Sequence, residues 1–385
     1  MSSNKNIAMV IGGSNGLGYA IVKELLELDY QEIIVLDLVK PEIEDPRICY
    51  LNIDLSKRNY SILEQYNNIN TLIITAGFGR IASFETFSEI EIQKTFQVNV
   101  ISIIQIIRIF YNQLKNTVPF FCSIVTSISG VVSSPLFSLY GATKAALYRF
   151  IESINIELEK EDSQNRILNV CPGMLQGTSF YGEKSNVVSL QSLASTILEY
   201  MRNKKTLFIP QYNEIYNRVI DNYQRDNYQF GLESYDYKMN SGRINNTPNT
   251  TIGYLSGTFD LFHIGHLNIL KRAKDYCDYL IVGIHKDASH KGKLAYIPFE
   301  ERCEIVRSIE YVDEVIESRK EDSEIYENIK YNYLFVGSDY KDSLRFNEYE
   351  KYFKDRNVKI IYFPYTDGTS STKLRMMIDK STSIL

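Results

Sequence analysis

Residues 7–18 read Ile-Ala-Met-Val-Ile-Gly-Gly-Ser-Asn-Gly-Leu-Gly, and an amphipathic segment of helical length follows them. The apolar run is typical of a strand that is buried on both faces of a parallel sheet. The glycines at 12, 16 and 18 let the backbone turn tightly and approach a pyrophosphate held at the helix N-terminus. Their place between a strand and a helix favours a phosphate-binding loop, although a turn without a ligand stays open for the glycines alone.

The alternation of strand and helix continues through the chain. Apolar runs predict further strands at Ile33–Asp37, Thr71–Thr75, Phe120–Thr126, Ile167–Val170, Ile252–Ser256, Tyr279–Ile284, Tyr333–Val336 and Lys359–Phe363. Amphipathic segments such as 91–114 and 142–161 predict helices between them. We therefore predict an α/β protein with two doubly wound, Rossmann-like parallel-sheet domains, at residues 1–238 and 251–385. The Asn-rich, Ser-rich stretch 239–250 is interpreted as a polar linker.

Composition limits the classes of partner. The chain has 385 residues, 44% of them hydrophobic, and 42 basic against 47 acidic residues give a net charge of −5. No basic stripe predicts a nucleic-acid partner, and no apolar stretch reaches the roughly 20 residues that a membrane helix needs. Residues 1–5 lead into the first strand without the apolar core of a signal peptide, and the five cysteines have no paired spacing. We expect a cytoplasmic protein with free thiols.

The second predicted strand ends in Asp37, nineteen residues after Gly18. A carboxylate at this position can accept hydrogen bonds from both ribose hydroxyls of an adenosine and repels a 2′-phosphate. Asp37 therefore favours NADH, and the neutral Asn15 supplies no counter-charge for the phosphate of NADPH. NADPH stays an alternative cofactor, and an Asp without a ligand is the alternative interpretation.

Acid–base chemistry in the first 260 residues must proceed without histidine, because all four histidines lie between residues 263 and 290. Tyr140 and Lys144 are one helical turn apart, so we expect the ammonium to lower the phenol pKa from about 10. Such a phenol can donate a proton to a carbonyl oxygen as hydride arrives. The Tyr-x-x-x-Lys spacing occurs five times, but only Tyr140 has a serine, Ser127, thirteen residues before it. The other four pairs are interpreted as surface contacts.

Together these motifs resemble the short-chain dehydrogenase/reductase family over most of residues 5–220. The resemblance implies that Asn99, Ser127, Tyr140 and Lys144 are catalytic. It implies cofactor contacts for Gly12, Ser14, Asn15, Gly16, Leu17, Gly18, Asp37, Asp54, Leu55, Ala76, Gly77, Lys144, Pro172 and Gly173. The sequence departs from the family at Ile11 and Thr75, where threonine and asparagine are usual, and its threonine after Pro172 is displaced by one position to Thr178. Residues 175–223 are expected to form a substrate lid.

The second domain opens with a histidine motif. Residues 256–266 read Ser-Gly-Thr-Phe-Asp-Leu-Phe-His-Ile-Gly-His and lead from a strand into a helix. Two imidazoles three residues apart at a helix N-terminus can donate hydrogen bonds to a phosphate chain. A zinc site and a buried structural histidine pair are the alternatives. No cysteine or carboxylate cluster completes a zinc tetrahedron, so no metal site is predicted.

This block resembles the His-x-Gly-His nucleotidyltransferases, and most closely glycerol-3-phosphate cytidylyltransferase, over nearly all of residues 250–380. The resemblance implies catalytic roles for His263, His266 and Lys291, with CTP and Mg²⁺. It implies CTP contacts for Thr258, Phe259, His263, His266, Lys291, Arg302, Asp339, Ser370, Ser371 and Thr372. Tyr365 stands where the glycerol-phosphate enzyme has an arginine, which makes a different acceptor substrate an expectation.

The fusion of the two domains predicts consecutive reactions. The first reduces a ketose or aldose phosphate, such as fructose 6-phosphate or ribulose 5-phosphate, to a polyol phosphate. The second makes a CDP-polyol of the glucitol, mannitol or ribitol type for surface polysaccharide synthesis. The alternative is a cytidylyltransferase whose reductase-like domain is non-catalytic or acts on an unrelated substrate. Both families usually self-associate, so the resemblance also implies a dimer or a tetramer.

Overall fold

The computed structural model describes residues 6–57, 60–175, 187–247, 250–287, 295–364 and 373–377. They belong to two compact units, Met1–Thr247 and Pro248–Leu385. Part of the stretch predicted as a linker bonds to the first unit. The buried guanidinium of Arg80 donates to the carbonyl oxygen of Asn245 (2.7 Å), and the Ser83 amide donates to the side-chain oxygen of Asn246 (3.2 Å).

The first unit is a parallel sheet with helices between its strands. Its strands are β1 (Ile7–Ile11), β2 (Glu32–Asp37), β3 (Ile48–Asn52), β4 (Thr71–Ile74), β5 (Phe121–Val125), β6 (Ile167–Val170) and β7 (Leu207–Phe208). Its helices are α1 (Gly16–Leu26), α2 (Glu89–Phe96), α3 (Ser102–Ile109), α4 (Tyr111–Lys115), α5 (Ser138–Lys160), α6 (Val187–Arg202), α7 (Asn217–Arg225) and α8 (Asn227–Met239).

Alternation along β1 shows why this sheet is covered on both faces. Ile7, Met9 and Ile11 pack with residues of α3 and α5, whereas Ala8 and Val10 pack with residues of α1 and α6. Successive side chains of a strand point to opposite faces, so an all-apolar strand needs a helical layer on each side. Among the described residues the strand order is β3-β2-β1-β4-β5-β6-β7, and every pairing is parallel.

One predicted helix is interrupted in the structure. The sequence predicted a continuous helix over 91–114. In the structure a π-helical turn at Gln97–Ile101 separates α2 from α3, and the helix is interrupted a second time between α3 and α4. A π turn accommodates one extra residue, which a 3.6-residue periodicity cannot indicate, and such turns are frequent at functional sites. This turn carries Asn99, one of the predicted catalytic residues.

The second unit is a smaller parallel sheet. Its strands are β8 (Ile252–Gly257), β9 (Tyr279–Ile284), β10 (Glu314–Glu317), β11 (Tyr333–Gly337) and β12 (Lys359–Phe363). Its longer helices are α9 (Ile264–Lys274), α10 (Phe299–Arg307), α11 (Asp322–Ile329) and α12 (Leu344–Lys354). Within the described ranges the strand order is β10-β9-β8-β11-β12, with all pairings parallel. The two sheets confirm the predicted α/β class.

In the part of the chain that the structure describes, no helix has the length and apolar character that crossing a bilayer requires.

Candidate active sites

The glycine-rich loop of the first unit lies where the strand order reverses, between β1 and β4. Ligands of open α/β sheets bind beyond the carboxyl ends of the strands at such a point. Gly12 has φ +84°, and a Cβ atom at Gly18 would lie 2.0 Å from the Gly12 carbonyl oxygen. The first turn of α1 has no acidic residue, and its N-cap residue Asn15 makes no side-chain capping bond. This cradle of backbone N–H groups fits the pyrophosphate of a dinucleotide.

Asp37 is placed beside this loop. Its carboxylate accepts hydrogen bonds from the backbone N–H groups of Ser14 (2.9 Å) and Leu38 (2.8 Å). These bonds hold the side chain at the end of β2. The structure therefore brings the predicted ribose-binding carboxylate and the predicted phosphate loop together.

Thr75 fills a role that the sequence did not predict. Its hydroxyl donates toward the carbonyl oxygens of Ile11 (3.1 Å) and Gly12 (3.0 Å), and so ties the end of β4 to the glycine loop. The next residue, Ala76, donates its N–H to Ile11 O (3.1 Å). Thus the departure from the usual asparagine leaves this loop anchored. Asp54, by contrast, accepts bonds from the backbone and hydroxyl of Ser56, and Leu55 is buried.

Ser127, Tyr140 and Lys144 assemble at the same edge of the sheet. Ser127 follows β5 and accepts a bond from the Ser129 N–H (3.2 Å), while Tyr140 and Lys144 lie in the first two turns of α5. Lys144 is 2% exposed, and its ammonium donates to the Val125 carbonyl oxygen (3.0 Å) and lies 5.4 Å from the centre of the Tyr140 ring.

The direction of the Tyr140 pKa shift was predicted wrongly. Burial raises the pKa of Tyr140 above its usual value, and a hydrogen bond with Ser127 offsets part of this rise. The Lys144 ammonium does not reverse the rise of the Tyr140 pKa, because it points to a backbone carbonyl. The ammonium is itself desolvated, which lowers the pKa of Lys144 to about 8. A tyrosine with a raised pKa keeps its proton at neutral pH, which suits a proton donor.

Asn99 supports the backbone beside Lys144. Its side-chain amide donates to Phe78 O (2.8 Å) and Thr143 Oγ1 (3.1 Å), and its amide oxygen accepts from the Phe78 N–H (3.0 Å). A Cβ atom at the neighbouring Gly77 would lie 3.1 Å from the Lys144 ammonium. Asn99 therefore fixes the segment after β4 against α5.

A tyrosine from the C-terminal part of this unit covers the Pro172-Gly173 turn. A Cβ atom at Gly173 would lie 1.3 Å from the hydroxyl oxygen of Tyr216. Burial raises the pKa of Tyr216, and a hydrogen bond that its oxygen accepts from the Met174 backbone opposes the rise. Tyr216 lies within the stretch predicted as a substrate lid. Thr178 of the same stretch is outside the described residues.

The second unit also has its strand reversal beside the predicted site, between β8 and β11. Thr258 and Phe259 follow β8, and Asp339 is exposed in a short turn after β11. Phe259 and Leu261 have φ values of +53° and +47°, a strained conformation that costs non-glycine residues on the order of 1–3 kcal/mol and concentrates at functional sites. Among the described residues the buried Thr258 hydroxyl finds no hydrogen-bond partner, which fits a polar ligand.

His263 and His266 stack at the start of α9. Their ring centres are 4.0 Å apart at 25°, and His263 Nδ1 accepts the Gly265 N–H (3.0 Å) as the N-cap of the helix. Because Nδ1 is an acceptor, the neutral ring carries its proton on Nε2. Burial lowers the pKa of His263, which favours this neutral form. His266 also packs against the Phe259 and Phe262 rings, at 5.1 and 5.5 Å.

Arg302 has a different environment from the one its predicted role requires. It is 1% exposed and donates to the carbonyl oxygens of Thr258, His285, Lys286 and Ile297. These bonds tie its guanidinium to the backbone of the loops around Thr258 and His285. Direct contact of Arg302 with CTP therefore stays a prediction. Arg375 in the last described helix pairs with Asp260, which bonds the N–H groups of Tyr296 and Ile297.

Lys291, Ser370, Ser371, Thr372 and Tyr365 lie outside the described residues. The residues that the structure does describe contain no group of three or more His, Cys, Asp or Glu side chains placed to hold a metal.

Comparison with known proteins agrees with this geometry. Residues 6–189 match the short chain dehydrogenase family, and residues 254–377 match the cytidylyltransferase-like family. Glycerol-3-phosphate cytidylyltransferase of Bacillus subtilis (strain 168) is 39% identical over 123 residues, which are 31% of this chain and 90% of that protein. The chain is a short-chain dehydrogenase domain fused to a cytidylyltransferase-like domain.

The dehydrogenase domain has more distant relatives. An uncharacterized oxidoreductase of Saccharomyces cerevisiae is 31% identical over 218 residues, and the match covers 50% of this chain and 64% of the yeast protein. A short chain dehydrogenase from Burkholderia cenocepacia J2315, solved in complex with NADP, shares the fold with a TM-score of 0.51 and 20% identity. That likeness covers 61% of this chain and 99% of the other chain. The cytidylyltransferase-like domain is related to glycerol-3-phosphate cytidylyltransferase.

Three residues of the dehydrogenase domain were not identified as site residues from the sequence. Thr75 anchors the glycine loop, Phe137 stacks on Tyr140 at 4.3 Å, and Tyr216 covers Gly173. Thr75 was noticed only as a departure from the family pattern. Phe137 lies three residues before the tyrosine, and nothing in the sequence alone distinguishes it from a core aromatic.

Proposed function

We propose that this chain is a bifunctional enzyme that reduces a sugar phosphate to a polyol phosphate with NADH and then transfers CMP from CTP to that polyol phosphate. The observation that carries the proposal is the assembly of Ser127, Tyr140 and Lys144 beside the glycine cradle, in a chain that also has a cytidylyltransferase-like domain. An intact proton-donor site favours a working reductase over a scaffold.

In the reductase domain, Tyr140 donates the proton that the carbonyl oxygen gains. The nicotinamide, when bound, supplies the hydride for the carbonyl carbon, so the ketose or aldose becomes an alcohol and NADH becomes NAD⁺. Ser127 hydrogen-bonds the same oxygen, and the Lys144 cation stabilises the phenolate that forms. Asn99 acts as a positioning residue through Phe78 and Thr143.

The choice of NADH rests on Asp37. Its carboxylate, held by two backbone N–H groups at the end of β2, would accept the ribose hydroxyls and repel a 2′-phosphate. Gly12, Ser14, Gly16 and Gly18 would hold the pyrophosphate through the backbone of the loop and of α1. Asp54, Leu55 and Ala76 remain proposed contacts of the adenosine half.

In the cytidylyltransferase domain, the phosphate oxygen of the polyol phosphate attacks the α-phosphorus of CTP in line, and pyrophosphate leaves. Such transfers depend on positioning and charge stabilisation, without a covalent intermediate. His263, with its proton on Nε2, and His266 would donate hydrogen bonds to the transferring phosphate at the N-terminus of α9. Mg²⁺ would accompany CTP, and Lys291 and residues 370–372 would hold the outer phosphates.

The product would be a CDP-polyol that serves as a donor for surface polysaccharide synthesis. Hexitol and pentitol products are both consistent with the site, and Tyr365 in place of an arginine makes glycerol 3-phosphate the less favoured acceptor. We propose a homo-oligomer in the cytoplasm.

A coupled screen tests this function. The intact protein is incubated with NADH, CTP, Mg²⁺ and a panel of ketose and aldose phosphates, and CDP-linked products are identified by mass spectrometry. We expect a CDP-alditol with one sugar phosphate, and only when NADH and CTP are both present. Tyr140→Phe should abolish that product but still convert a pre-made polyol phosphate with CTP. His266→Ala should still oxidise NADH with the sugar phosphate but form no CDP-linked product. If no sugar phosphate oxidises NADH, the first domain is not this reductase.

A further inference from the structure

A buried lysine of the dehydrogenase domain has no role in the chemistry above. Lys238, near the end of α8, is 9% exposed, and its ammonium contacts the hydroxyl oxygens of Ser134 (3.0 Å) and Ser234 (2.8 Å). Within the described ranges no carboxylate pairs with it. Burial, together with a smaller contribution from repulsion by Arg243, lowers the pKa of Lys238 to about 8. Burying an ammonium group without a carboxylate partner is costly.

The position of this lysine connects it to the catalytic residues. Ser134 belongs to the loop between Ser127 and Tyr140, and its Cβ atom would lie 3.8 Å from a Cβ atom at Gly141, the residue after the catalytic tyrosine. Through Ser134, Lys238 is therefore connected to the backbone beside Tyr140.

Arg243 contacts the residue that follows the Pro172-Gly173 turn. Its guanidinium contacts the sulfur atom of Met174, which directly follows the Pro172-Gly173 turn, and lies 5.8 Å from the centre of the Tyr237 ring. Its backbone N–H donates to Ser241 Oγ, which in turn donates to the Lys238 carbonyl oxygen, so one turn of chain carries both cations.

We propose that Lys238, Arg243 and the Ser134 hydroxyl bind the phosphate group of the reductase substrate and leave its carbonyl group at Tyr140. This inference rests on the proposed function and names the anchor that would make that domain specific for phosphorylated sugars. An ammonium and a guanidinium give a dianion charge-assisted hydrogen bonds. A serine hydroxyl, which now accepts from Lys238, can rotate to donate to a phosphate oxygen.

A second buried lysine shows what a purely structural role requires. Burial also lowers the pKa of Lys204 to about 8, but its ammonium donates to the Phe120 carbonyl oxygen (2.8 Å) and to Asn165 Oδ1 (3.0 Å). Both partners are fixed acceptors, and Phe120 precedes β5, at the end of the sheet opposite the catalytic residues. Lys204→Met is therefore a matched control for the loss of a buried ammonium.

The test compares phosphorylated with unphosphorylated ketoses. Initial rates of NADH oxidation are measured for fructose 6-phosphate against fructose, and for ribulose 5-phosphate against ribulose, with the full-length protein. In Lys238→Met we expect the KM for the phosphorylated ketose to rise about 10- to 100-fold, since a charged hydrogen bond is lost. In the same variant, kcat/KM for the unphosphorylated ketose should stay within about twofold of the wild type. Lys238→Arg should restore much of the preference for the phosphorylated ketose. Lys204→Met should leave the ratio of kcat/KM for the two substrates unchanged.

An equal effect of Lys238→Met on both substrates, or no effect on either, would overturn the phosphate anchor. If this variant does not fold by circular dichroism, Arg243→Met is judged by the same ratio of substrates. If none of the sugar phosphates supports NADH oxidation by the wild-type protein, the proposed function fails. The anchor is then tested by calorimetric titration with inorganic phosphate. Loss of one phosphate site in Lys238→Met then supports the anchor, and identical isotherms refute it.

Discussion

Two glycine-to-alanine substitutions should have opposite effects, although both positions are helical. Gly18 lies in the first turn of α1, and an added Cβ atom would be 2.0 Å from the Gly12 carbonyl oxygen and 2.5 Å from Thr75 Oγ1. Gly231 lies in α8, where the nearest atom to an added Cβ would be Ser133 Oγ at 3.5 Å, an ordinary contact. Gly18→Ala is the perturbation and Gly231→Ala is its matched control.

The magnitude follows from these distances. Cβ atoms essentially never approach another atom closer than 3.0 Å, so the glycine loop and α1 must separate by about 1.0 Å in Gly18→Ala. Forcing an extra methyl group into packed structure costs about 1–3 kcal/mol, which corresponds to roughly a 5- to 150-fold weaker dinucleotide complex if the loop must be restored for binding. Gly231→Ala should instead stabilise the protein by about 0.5–1 kcal/mol, because alanine favours the helix.

The assay measures NADH binding by fluorescence titration and thermal unfolding by scanning calorimetry. We expect Gly18→Ala to lose NADH affinity while CTP-dependent activity with a polyol phosphate is retained, and Gly231→Ala to bind NADH normally with a melting temperature about 1–4 °C higher. If Gly18→Ala binds NADH within about twofold of the wild type, the close approach of loop and helix does not form the cofactor site.

Three further predictions concern charge and protonation. Asp37→Asn keeps an acceptor oxygen but removes the charge, so it should reduce the ratio of kcat/KM for NADH to kcat/KM for NADPH by about tenfold. An unchanged ratio would show that Asp37 does not cause the preference for NADH. Lys144, with a pKa of about 8, is protonated below that pH, so kcat/KM for reduction should fall as the pH rises through about 8. A pH profile with the same inflection in Lys144→Met would show that another group causes it. His266→Ala should reduce pyrophosphate release from CTP about 100-fold and leave NADH oxidation intact, and equal loss of both activities would indicate a folding defect.

The sequence predicted the central strands well because they are apolar on both faces. β1 and β6 have the predicted bounds, and β2, β4 and β5 agree within one residue at each end. The missed strands are β3, β7 and β10. β3 carries Cys49, Tyr50 and Asn52 on a half-buried edge, β10 has only two apolar residues, and β7 is two residues long. Such edge strands do not show the patterns of a buried strand.

Helix α8 was missed for a related reason. It begins with Asp226 as an N-cap that accepts the Gln229 N–H, but its large side chains, such as Tyr228 at 76% exposure, are mostly outside the core. Without a buried stripe, its Tyr-rich sequence gave no helical periodicity. The phosphate anchor proposed above depends on this helix, so it could not have been proposed from the sequence.

Residue type and spacing placed the proposed catalytic residues Tyr140 and Lys144 on one helical face, but they did not indicate the environment of those residues. The Tyr140–Lys144 spacing indicated a shared helical face, whereas the direction of the Tyr140 pKa shift depends on burial and on the Val125 carbonyl that binds Lys144. Arg302 similarly was predicted as a CTP contact, but four backbone carbonyls surround its guanidinium. Burial and backbone partners are tertiary properties that no local pattern specifies.

Isotope transfer shows whether one chain reduces a sugar phosphate and then transfers CMP to the same molecule. The full-length protein is supplied with NADH deuterated at both C4 positions, CTP, Mg²⁺ and the sugar phosphate that oxidises NADH. We predict a CDP-polyol that carries one deuterium, and none of it in Tyr140→Phe. A CDP-linked product without deuterium, formed at the same rate in Tyr140→Phe, would contradict the sequential mechanism.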